Sequence, residues 1–386
     1  MYRNTRFGEL LKGFSRGGFD RLVSSREADK YNKGFSSWGQ LVVMMYAQLS
    51  GCRSLREVEA SFNNQRVHHY HLGCGEVKRS TLSDANAKRD AGVFFEACRS
   101  LMRGANRKLR REVNDFLYLL DSSSITLKGQ GYDVWSRENR TRHTQGVKLH
   151  LLFNSGTLTP DYVNVSAANV NDVTDAANIE IESGSTYVFD KGYCDYNWWH
   201  KLDRKGAKFV TRFKKNAALA IVEEHSAPDG DILCDQVVRF KHKRPRARHI
   251  NHYEAPLRQI VIKRESQAAP LVLATNDFER SAQEIAQCYK ERWGIELFFK
   301  WIKQNLQIKR YLGRTENAVR IQIATALMSY LLVVLYRHTH RLNSSLKEVL
   351  VVLASSLFQR LDTDRHVIVR RREKLDAMLR LQGCLF

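Results

Sequence analysis

No two of the seven cysteines in this 386-residue chain stand as C-x-x-C, and their spacing is irregular. An odd, scattered set argues against a disulfide framework and fits a reducing compartment, so a cytoplasmic protein is expected. The N-terminal "MYRNTRFGELLKGFSRG" lacks the apolar stretch of a secretory signal. The longest apolar run, "IQIATALMSYLLVVLY" at 321–336, is shorter than a membrane span and holds Gln322 and Ser329. It reads as a buried core helix, and no membrane partner is expected. The segment "DKGY" at 190–193 lacks the Gly-x4-Gly-Lys spacing of a phosphate loop, so no nucleotide cofactor is expected. No internal repeat or low-complexity linker interrupts the chain.

What is present is apolar bulk and positive charge. A hydrophobic share of 43% suffices for packed cores, and at this length two or three domains are expected. Lys and Arg number 62 against 41 Asp and Glu, a formal charge of +21 with a pI near 9.8. Such an excess suits a polyanion, and nucleic acid is the first candidate. The alternative, a merely basic soluble protein, fits less well because the basic residues recur in clusters.

Residues 1–105 read as a helical N-terminal domain. "SLREVEASF" opens with Ser54 and carries Glu57 three residues on, a capping-box pattern, and "STLSDANAKRD" reads as another helix start. Two helices about a short connection, with Arg79, Lys88 and Arg89 nearby, suit either a helix-turn-helix module for DNA ends or an ordinary bundle. His68, His69 and His71 with Cys74 match no familiar zinc spacing, and no second ligand pair lies close by.

From residue 114 the texture changes. "DFLYLLDSSSITL", "GVKLHLLFN" and "PDYVNVSAANV" read as strands, the first ending at Asp121. A helix at "DVTDAANIEI", a strand "TYVFDKGYCD", a helix "YNWWHKLDRKG" closed by Gly206 and a strand "AKFVTRFKK" follow. That order predicts an α/β fold of ribonuclease-H-like layout: a mixed sheet, antiparallel first and parallel after, flanked by helices. The core's first part spans 106–215. A β-rich insertion at 216–276 follows, in which "ILCDQVVRF" and "LRQIVIKRE" surround the basic "KHKRPRARH". The core resumes at 277–340, and a C-terminal tail fills 341–386.

The segment "YKERWGIELFFKWIKQNL" at 289–306 sets the chemical question. Wound as one helix, it places Arg292, Glu296 and Lys303 at roughly 300°, 340° and 320° from Tyr289, a stripe within about 60°. Ile295, Phe298, Ile302 and Leu306 line a neighbouring face, and Trp293, Leu297 and Trp301 cover much of the rest. A helix apolar almost all round is normally buried, and buried charge must be paired or hold an ion. An internal Arg292–Glu296 pair would satisfy that demand by itself.

Asp121 and Asp190 suggest more. Taken singly, each is a turn former after a strand. In the proposed sheet their strands are neighbours, and the late helix packs on that sheet and offers Glu296 to the same point. Three converging carboxylates repel one another unless divalent cations compensate, and oxygen-only ligands favour Mg²⁺ or Mn²⁺. Two such ions, about 4 Å apart, can activate a water or hydroxyl and stabilise the leaving oxygen of a phosphodiester.

The spacing Tyr-x2-Arg-x3-Glu-x6-Lys, with "LLDSSS" and "VFDKGY" before it, resembles the DDE transposases of bacterial insertion sequences, in the insertion-sequence-four branch. The likeness spans about 114–340. It implies that Asp121, Asp190 and Glu296 are the metal-binding catalytic triad, and that Tyr289 and Arg292 hold phosphates near the transposon end. Lys303 would touch the DNA backbone. It also implies cleavage by a metal-activated water, attack of the freed 3′-hydroxyl on target double-stranded DNA, and a homodimer, whose contact the amphipathic tail could supply. Lys241, Lys243, Arg244, Arg246 and Arg248 of the insertion are expected on the DNA backbone, with a solvated loop as the alternative. In some relatives a Trp in the insertion stacks on a flipped base. Residues 216–276 contain no Trp, which leaves Tyr253 as the candidate ring. A ribonuclease-H-like nuclease or resolvase without joining, and a non-catalytic repressor, are the alternative functions.

Overall fold

The fold is that of a computed structural model, which describes residues 5–32, 34–110, 116–139, 144–225, 230–242, 250–264, 269–308 and 310–360. In chain order its helices begin with α1 (Arg6–Leu11), α2 (Arg16–Ser25), α3 (Ser37–Ser50), α4 (Leu55–Asn63), α5 (His69–Leu72), α6 (Arg79–Lys88) and α7 (Ala91–Leu109). Strands β1 (Leu117–Thr126), β2 (Arg137–Asn139), β3 (Thr144–Asn154) and β4 (Thr159–Ala167) lead to α8 (Asp172–Ala176), β5 (Thr186–Phe189), α9 (Tyr196–Arg204) and β6 (Lys208–Arg212). Then come β7 (Leu219–His225), β8 (Ile232–Phe240), β9 (Leu257–Ile262), β10 (Leu271–Thr275), α10 (Ala282–Glu291), α11 (Trp293–Asn305), α12 (Glu316–Thr339) and α13 (Leu346–Ser356). The chain forms two compact units: residues up to Leu101 with those from Ile302 onward, and residues Met102–Trp301.

The first unit is helical and centred on α3 and α12. Almost every residue of α3 is buried, as is α12 from Ile321 to Leu335. The polar residues inside the long apolar run are satisfied, which is what burial requires of them. Gln322 donates from Nε2 to Arg310 O at 2.7 Å and accepts from Leu312 N at 2.8 Å, while Ser329 donates to Thr325 O at 2.8 Å. By length and composition α12 could cross a membrane, yet 94% of its apolar window is buried within the protein. Ser54 caps α4 by accepting from Glu57 N at 3.2 Å, but the Glu57 carboxylate takes the N–H of Arg53, not that of Ser54. Arg89 turns inward, donating to Gln40 Oε1 at 2.9 Å and pairing with Asp29 at 3.6 Å, whereas Lys88 is exposed. His69 is a core residue, stacked on Phe62 at 4.1 Å.

The second unit is built on one ten-stranded sheet of order β2-β3-β1-β5-β6-β10-β9-β8-β7, with β4 paired to β3. Strand β3 runs antiparallel to β1 and β4, and β1, β5 and β6 are parallel. This β4-β3-β1-β5-β6 series is ribonuclease-H-like. Residues 216–276 add their strands to the same sheet, because β10 pairs antiparallel with β6 and carries β9, β8 and β7 outward.

Alternation along the strands gives the sheet two covered faces. Tyr118 and Leu120 of β1, with Tyr187 and Phe189 of β5, join Trp198, Trp199 and Leu202 of α9 in one core. Local chemistry starts and stops α9: Asp195 caps it by accepting from Trp198 N at 2.9 Å, and Gly206 leaves it at φ +70°. The residues between, Leu119 among them, face the other way, towards α10 and α11.

Candidate active site

Asp121 is the fifth residue of β1 and not its last, because β1 continues to Thr126. It is the neighbouring strand that ends. Phe189, the last residue of β5, pairs with Leu120 in parallel register, so the next step sets Asp121 beside Asp190. Adjacent strands lie about 4.8 Å apart, which makes the two carboxylates neighbours. Asp190 remains extended at φ −83° and ψ 173°, and its Oδ1 accepts from Gly192 N at 2.6 Å. On its other side Val188 pairs with Val210, so the same count brings Arg212 of β6 next to Asp190. Thr211 Oγ1 donates to the Asp190 carbonyl at 3.4 Å, holding that edge.

Glu296 arrives on α11. Gly294 passes so close to β1 that a Cβ there would stand 3.2 Å from Leu119 Cδ1. Phe298 packs on Phe153, with ring centres 4.8 Å apart. Leu119 and Asp121 share one face of β1, so the helix that rests on Leu119 brings Glu296 to Asp121. Burial raises the Asp121 carboxyl to about 6; the charges of Asp190 and Glu296 push the same way, while the Ser122 N–H and Arg292 oppose them. Arg292 Nη2 pairs with Glu296 Oε1 at 2.6 Å, and its guanidinium lies 5.8 Å from the Tyr289 ring centre. Burial raises the Tyr289 phenol above its ordinary value, against the opposing charges of Arg292 and Arg212.

The expected single helix over 289–306 is divided at Arg292. The N–H groups of Arg292 and Ile295 bond three residues back, to Tyr289 O at 3.2 Å and Arg292 O at 3.3 Å. Such bonds wind the backbone tighter than an α-helix. The uniform 100° count therefore fails across the join, although Tyr289, Arg292 and Glu296 remain neighbours. Nor is the helix buried all round, since Trp293 and Leu297 are 57% and 50% exposed. Lys303 lies about two turns beyond Glu296 on α11. Lys241 is exposed at the end of β8; Lys243, Arg244, Arg246 and Arg248 fall outside the described residues, as does the end of the tail. Tyr253 is only 2% exposed and packs edge-on to Phe209 and Phe240, so it cannot offer a face to a base. Arg212 was missed by the sequence reading. The strand-end logic that singled out Asp190 would have found it in "KFVTR".

Among the described residues, no three His, Cys, Asp or Glu side chains are grouped closely enough to hold an ion as they stand. Each acid is engaged elsewhere: Asp121 with Ser122 N at 2.8 Å, Asp190 with Gly192 N, Glu296 with Arg292. The donor set still fits a divalent cation. It is all carboxylate oxygen, and one member already binds its proton tightly because it is buried beside like charges. In the metal-free protein, losing that proton has a cost in stability. Folded Asp121 holds it more tightly than the unfolded chain, so its contribution is present at acid pH. The contribution is lost as pH rises from about 4 through 6, by up to roughly 3 kcal/mol. In EDTA, urea midpoints of the parent should therefore fall relative to Asp121→Asn between pH 4 and 7. Parallel curves would contradict this.

The sheet thus sets Asp121, within β1, beside Asp190, just past the end of the parallel neighbour β5. The transposase DDE domain family matches residues 117–332, and a domain of unknown function, DUF4372, matches residues 2–75. A transposase from Sinorhizobium fredii, y4zB, is 37% identical over 287 residues, 73% of this chain and 78% of that protein. The transposase for insertion sequence element IS4SA of Synechocystis is 25% identical over 66% of this chain and 71% of its own length. A piggyBac transposase, solved as a synaptic complex with hairpin DNA, aligns at a TM-score of 0.48 and 10% identity over 91% of this chain and 77% of that one, too low to add to the assignment. The chain belongs to the DDE transposase family and is a DNA transposase of the bacterial insertion-sequence kind. That family works with divalent metal, generally Mg²⁺, and acts on DNA.

Proposed function

We propose that this transposase cuts DNA at the ends of its own element and joins the freed 3′-hydroxyl to target DNA, with Asp121, Asp190 and Glu296 as the metal-holding catalytic acids. The main support is the register step that sets Asp121 beside Asp190, under the helix that brings Glu296. Two Mg²⁺ or Mn²⁺ ions, when bound, supply an activated water or hydroxyl and stabilise the leaving oxygen. The chain's own groups position the DNA. Arg292 and Arg212 present guanidinium forks to phosphate, with the Tyr289 hydroxyl as a directed donor between them. Lys303 and the basic residues Lys241, Lys243, Arg244, Arg246 and Arg248 meet the backbone. Residues 1–105 bind the transposon end, the insertion at 216–276 contributes the basic residues, and 341–386 support a homodimer in the bacterial cytoplasm.

A supercoiled target plasmid with pre-cut ends tests the whole reading. Joined products are expected; nicked or linear plasmid alone would indicate a nuclease, and binding without cutting a repressor. Arg292→Ala should lower joining about 10- to 100-fold, the worth of charge-assisted bonds to one phosphate. Undiminished joining would remove Arg292 from the phosphate clamp.

A further inference from the structure

On the sheet face opposite Asp121 lies a buried polar cluster that the proposed chemistry leaves unused. Lys148 of β3 is 3% exposed and donates from Nζ to Val170 O at 2.7 Å and to Asp172 Oδ1 at 3.0 Å. The same Asp172 oxygen accepts from Ser122 Oγ at 2.7 Å, and His150 Nδ1 stands 3.7 Å from both Asp172 and Asp175. The other Asp172 oxygen borders the turn after Asp190, because a Cβ on Gly192 would lie 3.9 Å from Oδ2.

A buried ion pair is a poor stabiliser, since desolvation offsets most of the attraction. Its placement suggests another use. Ser122 follows Asp121 and gives that carboxylate a backbone N–H, while Gly192 does the same for Asp190. Asp172 thus reaches both segments from behind. We infer that Asp172, held and neutralised by Lys148, is a positioning residue that keeps the Asp121 and Asp190 segments side by side for metal. Lys148 matters because an uncompensated Asp172 would add to the repulsion among the three acids. The inference rests on the metal-holding role proposed above.

Mn²⁺ alone, titrated calorimetrically into the full chain, reads this role without turnover. Asp172→Asn keeps volume and loses charge, and Ser122→Ala cuts the link to β1. Each should weaken Mn²⁺ binding about tenfold or more, as loss of outer-sphere partners does. The urea midpoint of Ser122→Ala in EDTA should stay near the parent's, which a purely structural role does not explain. If Asp172→Asn fails to fold, Ser122→Ala decides alone. Parent-like Mn²⁺ affinity in the folded variants, with Asp190→Ala deficient, overturns the positioning role only. A parent that takes up no Mn²⁺, or an Asp190→Ala that binds it normally, overturns the metal reading and this inference together.

Discussion

Asp190→Ala is expected to abolish strand cleavage, by about a thousandfold or more, while binding to end DNA persists. A catalytic metal contributes several kcal/mol to the transition state, and each 1.4 kcal/mol is about a factor of ten. The fold should tolerate the change. Asp190 is half-buried and caps only a three-residue turn at Lys191–Tyr193, so the structural loss is about 1 kcal/mol. Removing one negative charge should, if anything, favour a polyanion. Cleavage assays on labelled transposon ends, with mobility shifts on the same DNA, separate the two effects. Unchanged cleavage would take Asp190 out of the mechanism.

Gly146→Ala should be the most damaging change to stability. Gly146 sits in β3 opposite Thr126 of β1 with φ at +148°, and a Cβ there would come within 2.1 Å of Ile125 O and 3.0 Å of Leu127 N. Both obstacles are backbone, so neither can rotate away. Steric overlap and an unfavourable backbone conformation together cost about 3 kcal/mol or more. A urea midpoint close to the parent's would show that β1 and β3 can separate there. Cleavage should fall as well, because the same pairing carries Asp121 against Leu151.

Much of the sheet was legible from periodicity alone. The runs read as strands at "GVKLHLLFN" and "PDYVNVSAANV" match β3 and β4, because apolar β-branched and aromatic stretches bounded by turn residues have few other ways to bury themselves. β2 was not legible, since three residues, "REN", carry no pattern. The end of β1 was misplaced at Asp121 because hydrophobicity stops there, while pairing with β3 extends to Thr126. Tyr253 looked available as a stacking ring, and Arg89 as a basic contact. Both are committed to interior neighbours that sequence distance conceals.

By itself the sequence pointed to a polyanionic partner and gave the succession of strands and helices in the core, because charge and hydrophobic period are local properties, and its motif spacing offered three acids as candidates for a shared task. Only the tertiary structure decided that Asp121 meets Asp190 through a strand ending at Phe189, that Gly294 lets α11 come down on Leu119, and that Arg212 stands beside the pair. Register and close approach arise between segments far apart in the chain, and no local pattern encodes them.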